Sequence, residues 1–332
     1  MKAWLLNIIG DGIDKLRIAE VPDPPPPGAG QVIVDVHFAG LNPADRYLAE
    51  NQYPAKPKLP HILGRDAMGV VSAVGPDVTS FKVGDKIIVL TGEAGINLPG
   101  TFAQKLLAPA DTLTPVPRGW SDEQAAGAPL VYLTAHQAIY QWDELPQTGG
   151  VVLVTGASGG VGIACLQLAK LMGHTVVALS RSAEKSAKLR ELGADLTFDP
   201  TNANWKKSLK EQLGKRRVDL AIDMIGGALF SDVIDTLGNR GRVSVVGRLA
   251  GPVPSFNTAT LFFRRIRIGG VAVHAYSVAK AHAAWGELHS MRARATDSLM
   301  PVVDSVFDFA DLKQAFARLA QGPMGKVLIR VA

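Results

Sequence analysis

The stretch VVLVTGASGGVGIACLQLAKLMG, residues 151–173, joins an apolar run, a glycine-rich turn and an amphipathic helical pattern. Glycines at 159 and 162 allow the backbone to turn tightly, approach a pyrophosphate and pack the helix against the strand. The start of such a helix also offers N–H groups and the positive end of its dipole to phosphates. This context predicts a dinucleotide site, with alanine in the first glycine place of GxGxxG, made of Ala157, Ser158, Gly159, Gly160, Val161 and Gly162.

The end of the next strand indicates which dinucleotide binds. Sites that prefer NAD place an acid about 20 residues after the glycine turn, where it holds the ribose hydroxyls. Here that strand ends in VVALSRSAEK, and the first acid is Glu184, already inside a helix. Arg181 can pair bidentately with a 2′-phosphate, Ser180 can donate to it, and Lys185 can reach it from the helix. We therefore expect NADPH, with a solvated basic turn as the alternative.

Few residues are suited to bind a metal. The single Cys165 lies in an apolar helical pattern, which predicts buried packing and excludes an internal disulfide. The seven histidines include His37 in an apolar strand and His136 and His174 beside helices, and none has HxxxH or similar spacing. No metal site is expected.

The loop GLNPADRYLAENQYP, residues 40–54, carries hydrogen-bond donors instead. The Asn42 amide and the Tyr53 hydroxyl are groups that stabilise negative charge on a carbonyl oxygen. A phenol can also deliver a proton to the product, with solvent as the alternative proton source. For Tyr47 and Tyr53 the alternative is packing, with the hydroxyl at the rim of the site.

The elements that must position these groups fall into two patterns. Up to about residue 120, Gly and Pro punctuate short β-branched runs, which predicts strands between turns. From about residue 122, strands alternate with helices, which specifies a parallel sheet with helices on both faces. The tail returns to a strand, a helix and a strand at 302–307, 310–319 and 326–331, and we expect it to pack on the first domain.

Length and composition are those of a soluble protein of two domains, since the chain has 332 residues, 47% of them hydrophobic and 20% charged. The N-terminal MKAWLL is too short for a signal peptide or a membrane span, so a cytoplasmic protein is expected. The net charge is +5, but the basic clusters at 206–217 and 264–267 do not alternate with aromatic residues. Nucleic-acid binding is therefore not expected.

Several stretches together resemble the medium-chain dehydrogenase/reductase family, in the same order and over nearly the full chain. They are GLNPADRY, LPHILGRDAMGVVSAVGPDVTSFKVGDKI, LTAHQA, TGASGGVGIACLQLAK, LGAD at 192–195, RVSVVG and GKVLIRV. The resemblance implies an α/β fold in which a Rossmann doubly wound parallel sheet accompanies a GroES-like, mostly-β catalytic domain. It assigns residues 1–122 and 290–332 to the catalytic domain and residues 123–289 to the NADP-binding domain, with a substrate cleft at their junction.

The chain departs from the zinc alcohol dehydrogenases of that family. Those enzymes carry Cys in the stretch resembling GLNPAD and Gly-His-Glu where this chain has GRD, so Asn42 and Arg65 occupy ligand places that neither can fill. The four-cysteine structural lobe is also missing. The resemblance is instead to the zinc-independent branch, the quinone oxidoreductases related to zeta-crystallin and the 2-enoyl reductases, whose motif is matched by Asn42, Asp45, Tyr47 and Tyr53.

That branch implies hydride transfer from NADPH to a quinone or an α,β-unsaturated carbonyl compound, with Asn42, Tyr47 and Tyr53 as catalytic residues. It also implies that Thr134 in LTAHQA contacts the nicotinamide, with helix packing as the alternative. An ion pair from Arg65 to Asp45 or Asp66 is expected to brace the loop. Positions at the carboxyl ends of the last two strands should line the cofactor, namely Val246, Gly247, Arg248, Gly270 and Val271.

Three other interpretations stay open. TGASGGVG and YSVAK also satisfy the TGxxxGxG and YxxxK patterns of the short-chain dehydrogenases, but that family does not explain the first domain, and we interpret Tyr276 and Lys280 as a pair on one helix face. An enoyl-thioester reductase would need a basic rim, for which Arg264, Arg265 and Arg267 are candidates. A non-catalytic, crystallin-like NADPH-binding protein would keep the glycine turn and lose turnover.

Oligomeric state is indicated by the stretch IRIGGVAV, residues 266–273, an apolar strand expected to end the parallel sheet. A bare sheet edge favours pairing with its copy across a twofold axis. We therefore expect a homodimer that acts on a small-molecule substrate.

Overall fold

The computed structural model describes residues 1–143, 146, 148–252, 254–294 and 299–332. The described chain forms two compact units. Unit 1 comprises Met1–Leu130, Tyr276–Ala283 and Met300–Ala332, and unit 2 comprises Val131–Ala275 and Ala284–Leu299. The described parts of the chain include no helix that is long and apolar enough to cross a bilayer.

The strands are, in chain order, β1 (Lys2–Leu6), β2 (Arg17–Glu20), β3 (Gln31–Gly40), β4 (His61–Ile62), β5 (Asp66–Val74), β6 (Lys86–Val89), β7 (Lys105–Pro109), β8 (Leu113–Pro115), β9 (Val151–Val154), β10 (Thr175–Leu179), β11 (Leu196–Phe198), β12 (Val218–Asp223), β13 (Leu237–Val245), β14 (Arg267–Gly270), β15 (Val303–Asp308) and β16 (Lys326–Arg330). The α-helices are α1 (Pro43–Ala49), α2 (Asp122–Ala126), α3 (Pro129–Tyr140), α4 (Gly160–Leu171), α5 (Ala183–Glu191), α6 (Trp205–Leu213), α7 (Leu229–Thr236), α8 (Thr258–Arg264), α9 (Val278–Arg294) and α10 (Leu312–Ala320).

Unit 1 is mostly β-structure. Strand β3 alternates half-buried and buried residues and directs Val32, Val34 and Val36 into the core, as expected for a strand with one face on the core. It lies in a sheet of order β15-β16-β3-β5-β6-β8, in which β7 also pairs with β3, beside a smaller sheet of order β2-β1-β4. The tail strand β16 pairs with β3 through Leu328 and Gly40, which confirms that the tail packs on the first part of the chain.

Unit 2 contains a six-stranded sheet of order β11-β10-β9-β12-β13-β14, and every strand pair in it is parallel. Strand β9 is buried along its whole length, as is typical of a parallel strand covered on both faces. The strand order is that of the Rossmann fold. The first strand of the sheet, β9, lies at its centre; the next two strands are added on one side of it and the last three on the other. The predicted α/β fold class is confirmed.

Two sequence predictions about local structure have clear outcomes. Cys165 is fully buried, and burial raises the pKa of its thiol, which confirms a packing role. The prediction that Tyr276 and Lys280 share a helix face was wrong, because α9 begins only at Val278. Tyr276 precedes the helix, and the Lys280 ammonium lies 4.5 Å from the centre of its ring.

Candidate active site

The loop after β3 becomes helix α1 through a local capping arrangement. Asn42 has extended backbone angles and stands at the N-cap, and Pro43 follows in the first turn, where its fixed φ suits a helix start. The backbone N–H of Asn42 donates to Asp45 Oδ2 at 2.9 Å. Asp45 is thereby directed inward, and none of it is exposed to solvent.

Asn42 is 2% exposed, and the hydrogen-bonding groups of its side chain are engaged inside the protein. Its Nδ2 donates to Gly40 O at 3.3 Å and to Asp66 Oδ2 at 3.0 Å, and its Oδ1 accepts from Lys326 Nζ at 2.7 Å. Because a primary amide has two N–H donors, both are used in this arrangement. The Asn42 side chain therefore links the loop to Asp66 and Lys326.

Lys326 is a buried cation that the sequence analysis did not single out. It is 4% exposed, and its ammonium donates to Leu41 O at 2.9 Å, to Asn42 Oδ1 and to Asp66 Oδ2 at 3.0 Å. These three bonds satisfy all three ammonium donors. The available signal in the sequence was a lysine directly before three buried apolar residues of strand KVLIR. Its partners lie 260 to 285 residues away.

Arg65 forms the second buried ion pair. Its Nε lies 3.5 Å from Asp45 Oδ1, and only 8% of the Arg65 side chain is exposed, which confirms the predicted brace. Burial raises the pKa of Asp45 to about 6, although Arg65, Lys326 and the Asn42 N–H lower it in part. Asn42, Asp45, Arg65, Asp66 and Lys326 are called the loop cluster below.

Tyr53 lies half-buried against Arg65. Nη1 of Arg65 donates to the Tyr53 hydroxyl oxygen at 3.0 Å, and its guanidinium carbon lies 4.4 Å from the centre of the tyrosine ring. Tyr47 is also half-buried and lies on α1, where its carbonyl accepts from the Gln52 N–H at 2.7 Å. Through Arg65, the structure thus brings Tyr53 onto the loop cluster.

In unit 2, the glycine turn connects β9 to α4. Gly156 has a φ of 57°, and the Gly159 N–H donates to its carbonyl at 3.0 Å. A Cβ at position 162 would lie 2.5 Å from Gly156 O and 2.7 Å from the backbone of Ala157, so only glycine fits there. The helix N-terminus is therefore held close to the turn, in the geometry that phosphate-binding turns require.

A buried acid that the sequence analysis missed fixes the neighbouring strand ends. Asp223, at the end of β12, is fully buried and accepts from Thr155 Oγ1 at 2.7 Å and from the Gly226 N–H at 3.0 Å. Burial raises the pKa of Asp223, and these hydrogen bonds lower it in part. Its backbone carbonyl accepts from the N–H groups of Val246 and Gly247 at 2.8 and 3.2 Å. The signal for this residue in the sequence was its place as the last residue of strand VDLAID, directly before MIGG.

The predicted 2′-phosphate residues lie together after β10. Ser180 is 9% exposed, and its hydroxyl donates to Ser182 O and accepts from the Ser182 N–H, both at 3.3 Å. Ser182 caps α5 by accepting from the Lys185 N–H at 3.3 Å. Arg181 is exposed. The pKa of Asp199 is lowered mainly by hydrogen bonds from Thr201 and to a smaller degree by the charge of Arg181.

The remaining predicted cofactor positions are on separate elements of unit 2. Thr134 is buried on α3, and Arg248 is half-buried after β13. Gly270 is the exposed last residue of β14, and the N–H of Val271 donates to Val245 O at 2.9 Å. Across the described ranges, no group of three His, Cys, Asp or Glu side chains is arranged to hold a metal ion.

Comparisons with known proteins agree with this architecture. Residues 28–118 match the family described as "Alcohol dehydrogenase GroES-like domain", and residues 160–289 match the family described as "Zinc-binding dehydrogenase". The "Quinone oxidoreductase" of Sus scrofa is 31% identical over 307 residues, which cover 92% of this chain and 90% of that protein.

Two solved structures superpose on the whole chain. One, titled "Crystal Structure of NAD-dependent alcohol dehydrogenase", is 30% identical with a TM-score of 0.87, and covers 100% of both chains. The other, a mycobacterial protein described as complexed with NADPH, is 28% identical with a TM-score of 0.87 and the same coverage. The chain therefore belongs to the medium-chain dehydrogenase/reductase family, in its quinone oxidoreductase branch.

Proposed function

We propose that this protein is an NADPH-dependent reductase that transfers a hydride to quinones or to α,β-unsaturated carbonyl compounds without a metal ion. The observation that carries the proposal is the composition of the loop cluster. Where zinc-dependent relatives would need thiolate and imidazole ligands, Asn42 is bonded to Lys326 and Asp66, and Arg65 is bonded to Tyr53 and paired with Asp45. Amide and guanidinium groups supply hydrogen bonds and positive charge at these places, and they do not coordinate Zn²⁺.

In this proposal bound NADPH supplies the hydride, and the chain's own groups stabilise the negative charge that appears on the acceptor oxygen. Tyr53 is the donor to that oxygen and the source of the proton that completes the reduction. Tyr47 is a second phenol donor on α1. Asn42 contributes by holding Lys326 and Asp66 under the loop, because its own amide hydrogens are engaged.

The cofactor assignment rests on the residues of unit 2. The close approach of Gly162 to Gly156 and Ala157 fits a pyrophosphate turn, in which Ser158, Gly160 and Val161 present backbone N–H groups and Gly159 shapes the turn through its bond to Gly156 O. In the proposal, the 2′-phosphate is held by Ser180, Arg181 and Lys185. The nicotinamide half of the cofactor is lined by Thr134, Val246, Gly247, Arg248, Gly270 and Val271. The division into a catalytic domain of residues 1–122 and 290–332 and a cofactor domain of residues 123–289 is part of this proposal.

The cofactor assignment is tested by Arg181→Ala. Loss of a charged hydrogen bond to the 2′-phosphate should weaken NADPH binding by about 1.5–3 kcal/mol, and NADH binding should be almost unchanged. The measurement is the dissociation constant of each cofactor by fluorescence titration. Arg190→Ala, an exposed position on α5, is the matched control and should change neither constant. An equal loss for both cofactors would refute the assignment.

The reaction is tested by steady-state rates with 1,4-benzoquinone, a 2-alkenal and crotonyl-CoA, each with NADPH and NADH. We expect turnover of the quinone or the free alkenal with NADPH, and no loss of rate in EDTA. A strong preference for crotonyl-CoA would favour the enoyl-thioester alternative. No turnover of any acceptor, with NADPH still bound, would favour the non-catalytic crystallin-like protein. Activity lost in EDTA and restored by Zn²⁺ would contradict metal independence.

We also propose that the protein is a homodimer. The support is that β14 ends the six-stranded sheet and is largely exposed, including Ile268 at 40%. Phe262 and Phe263 on the preceding helix are exposed at 64% and 76%. Pairing of β14 with its copy would cover this apolar edge. Gel filtration that gives a 35.2 kDa species would contradict the dimer.

A further inference from the structure

Arg65 is held from three directions, which is more than an ion pair requires. Its Nε faces Asp45 Oδ1 at 3.5 Å, its Nη2 donates to Ala44 O at 3.4 Å, and its Nη1 donates to the Tyr53 oxygen at 3.0 Å. The guanidinium also stacks over the tyrosine ring at 4.4 Å. A planar guanidinium fixed in this way can hold a phenol in one orientation, which a flexible ammonium does not do.

The charges around Arg65 make its contact with Tyr53 depend on Asp45. Lys326 on β16 is satisfied by Asp66, Asn42 and Leu41, and Asp66 also accepts from the Leu130 N–H at 3.2 Å. His61 on β4 is buried, and burial, with a smaller contribution from the charge of Arg65, lowers the pKa of its imidazole. Asp45 is thus the acid that balances the Arg65 guanidinium.

We propose that Arg65 is a positioning residue that acts through Tyr53, fixing the phenol and stabilising the negative charge left on its oxygen when its proton moves to the reduced substrate. In that step the Tyr53 O–H bond breaks, a bond forms between the proton and the substrate, and the electron pair stays on the tyrosine oxygen. Water then returns a proton to Tyr53. Asp45 keeps the guanidinium in place. This inference rests on the proposed function, because it requires Tyr53 to be the proton donor.

The proposed hydrogen bond from Arg65 to the Tyr53 oxygen strengthens as the proton leaves Tyr53. A hydrogen bond from a cation to an oxygen becomes stronger when that oxygen gains negative charge. An interaction that is stronger in the transition state than in the bound substrate raises kcat and leaves KM unchanged. A purely structural brace would instead lower stability, with no particular effect on proton transfer.

The experiment is a double-mutant cycle of Arg65→Met and Tyr53→Phe, with kcat, KM and the solvent deuterium isotope effect on kcat as readouts. We expect each single variant to lower kcat about 10- to 100-fold, the range of a charge-assisted hydrogen bond, and the double variant to be no worse than the more damaged single variant. Arg65→Met should enlarge the solvent isotope effect, because proton transfer becomes slower. Arg65→Lys should recover part of the rate, since it keeps the charge and loses the planar fork.

Two controls separate this effect from damage to the fold. Arg65→Met leaves the Asp45 carboxylate buried without its cation. The first control is therefore the double variant Asp45→Asn, Arg65→Met, in which that carboxylate is absent. Its kcat should fall as in Arg65→Met while its unfolding transition moves back toward that of the parent. The second control, Arg46→Met, removes an exposed arginine of helix α1 that is paired with Glu50. It should leave kcat and the isotope effect unchanged.

The outcomes distinguish this inference from the proposed function. If Tyr53→Phe keeps the full kcat, the proton-donor role of Tyr53 fails and the inference is overturned with it. If Tyr53→Phe lowers kcat but Arg65→Met causes the same further loss in its presence as in its absence, Tyr53 remains the donor and the role of Arg65 is overturned. A non-additive cycle with a changed isotope effect supports the inference.

Discussion

The loop cluster in unit 1 and the glycine turn in unit 2 are held in place by opposite means. The loop cluster is fixed by side chains: two buried cations and two buried acids, joined by the Asn42 amide. The glycine turn is fixed by the absence of a side chain, because Gly162 lets the helix start approach the carbonyl of Gly156. The stability of the loop cluster should therefore depend on charge and pH, and that of the glycine turn on added side-chain volume.

Removal of one buried charge should give the largest effect. Lys326→Met leaves Asp66 buried without its cation and leaves the Asn42 carbonyl without its donor. Breaking a buried pair in this way typically costs about 3–5 kcal/mol, and we expect a loss of that size in the free energy of unfolding measured in urea.

The matched control is Lys170→Met. Lys170 Nζ lies 2.6 Å from Asp195, but 46% of its side chain is exposed, so its loss should cost no more than about 1 kcal/mol. Addition of Asp66→Asn to Lys326→Met should restore part of the stability, because the unpaired charge is then gone. Equal losses for the two lysine variants would mean that burial does not distinguish the loop cluster from a surface pair.

The two regions also differ in how far the sequence predicts them. The glycine turn and the parallel sheet follow from local patterns, the strand, turn and helix of residues 151–173 and the alternation after residue 122, and the structure confirms the fold. An ion pair from Arg65 to Asp45 or Asp66 was predicted from the resemblance, which puts these motif residues near one site, and the structure shows the pair with Asp45. Lys326 was not predicted, since its partners are 260 to 285 residues away and periodicity carries no information on such a contact.

The same reasoning explains the other differences. Thr155 and Asp223 are 68 residues apart and meet only because β9 and β12 are neighbours in the sheet, so neither residue stands out along the sequence. Tyr276 was placed on a helix from its spacing to Lys280, but helix starts are defined by capping geometry, and α9 begins two residues later. The engaged donors of Asn42 are likewise a property of the packed state, because they depend on Gly40 and Asp66.

A pH series should reveal the buried acid of the loop cluster. The folded pKa of Asp45 is about 6, raised from 3.8, so the folded protein binds more protons than the unfolded chain between these values. The stability that Asp45 contributes is therefore present below about pH 4 and lost as the pH rises through 6, by on the order of 3 kcal/mol. Asp45→Asn should remove this loss, so the stability of the variant relative to the parent should rise from pH 4 to 7.

Asp199→Asn is the control of opposite sign. Hydrogen bonds from Thr201 lower the pKa of Asp199 in the folded protein, so its contribution is present above the unfolded pKa and is lost as the pH falls through the folded value. The stability of this variant relative to the parent should therefore decrease as the pH rises. Urea unfolding at several pH values measures both differences. A pH-independent difference for Asp45→Asn would show that burial does not raise the pKa of Asp45 in the folded protein.

The smallest effect is expected for a single methyl group in the glycine turn. Gly162→Ala places Cβ 2.5 Å from Gly156 O, so the backbone must shift, at a typical overpacking cost of about 1–3 kcal/mol. In Gly159→Ala the nearest contact of Cβ is 3.5 Å from the same oxygen, an ordinary contact, and stability should change by less than about 0.5 kcal/mol. Unfolding free energy in urea is the measurement, because a methyl group at either position can also touch a bound phosphate. The loss in Gly162→Ala should be the same at pH 4 and pH 7, since no charge changes. If it instead varied with pH as strongly as that of Asp45→Asn, the turn would depend on charge, and the distinction between the two regions would fail.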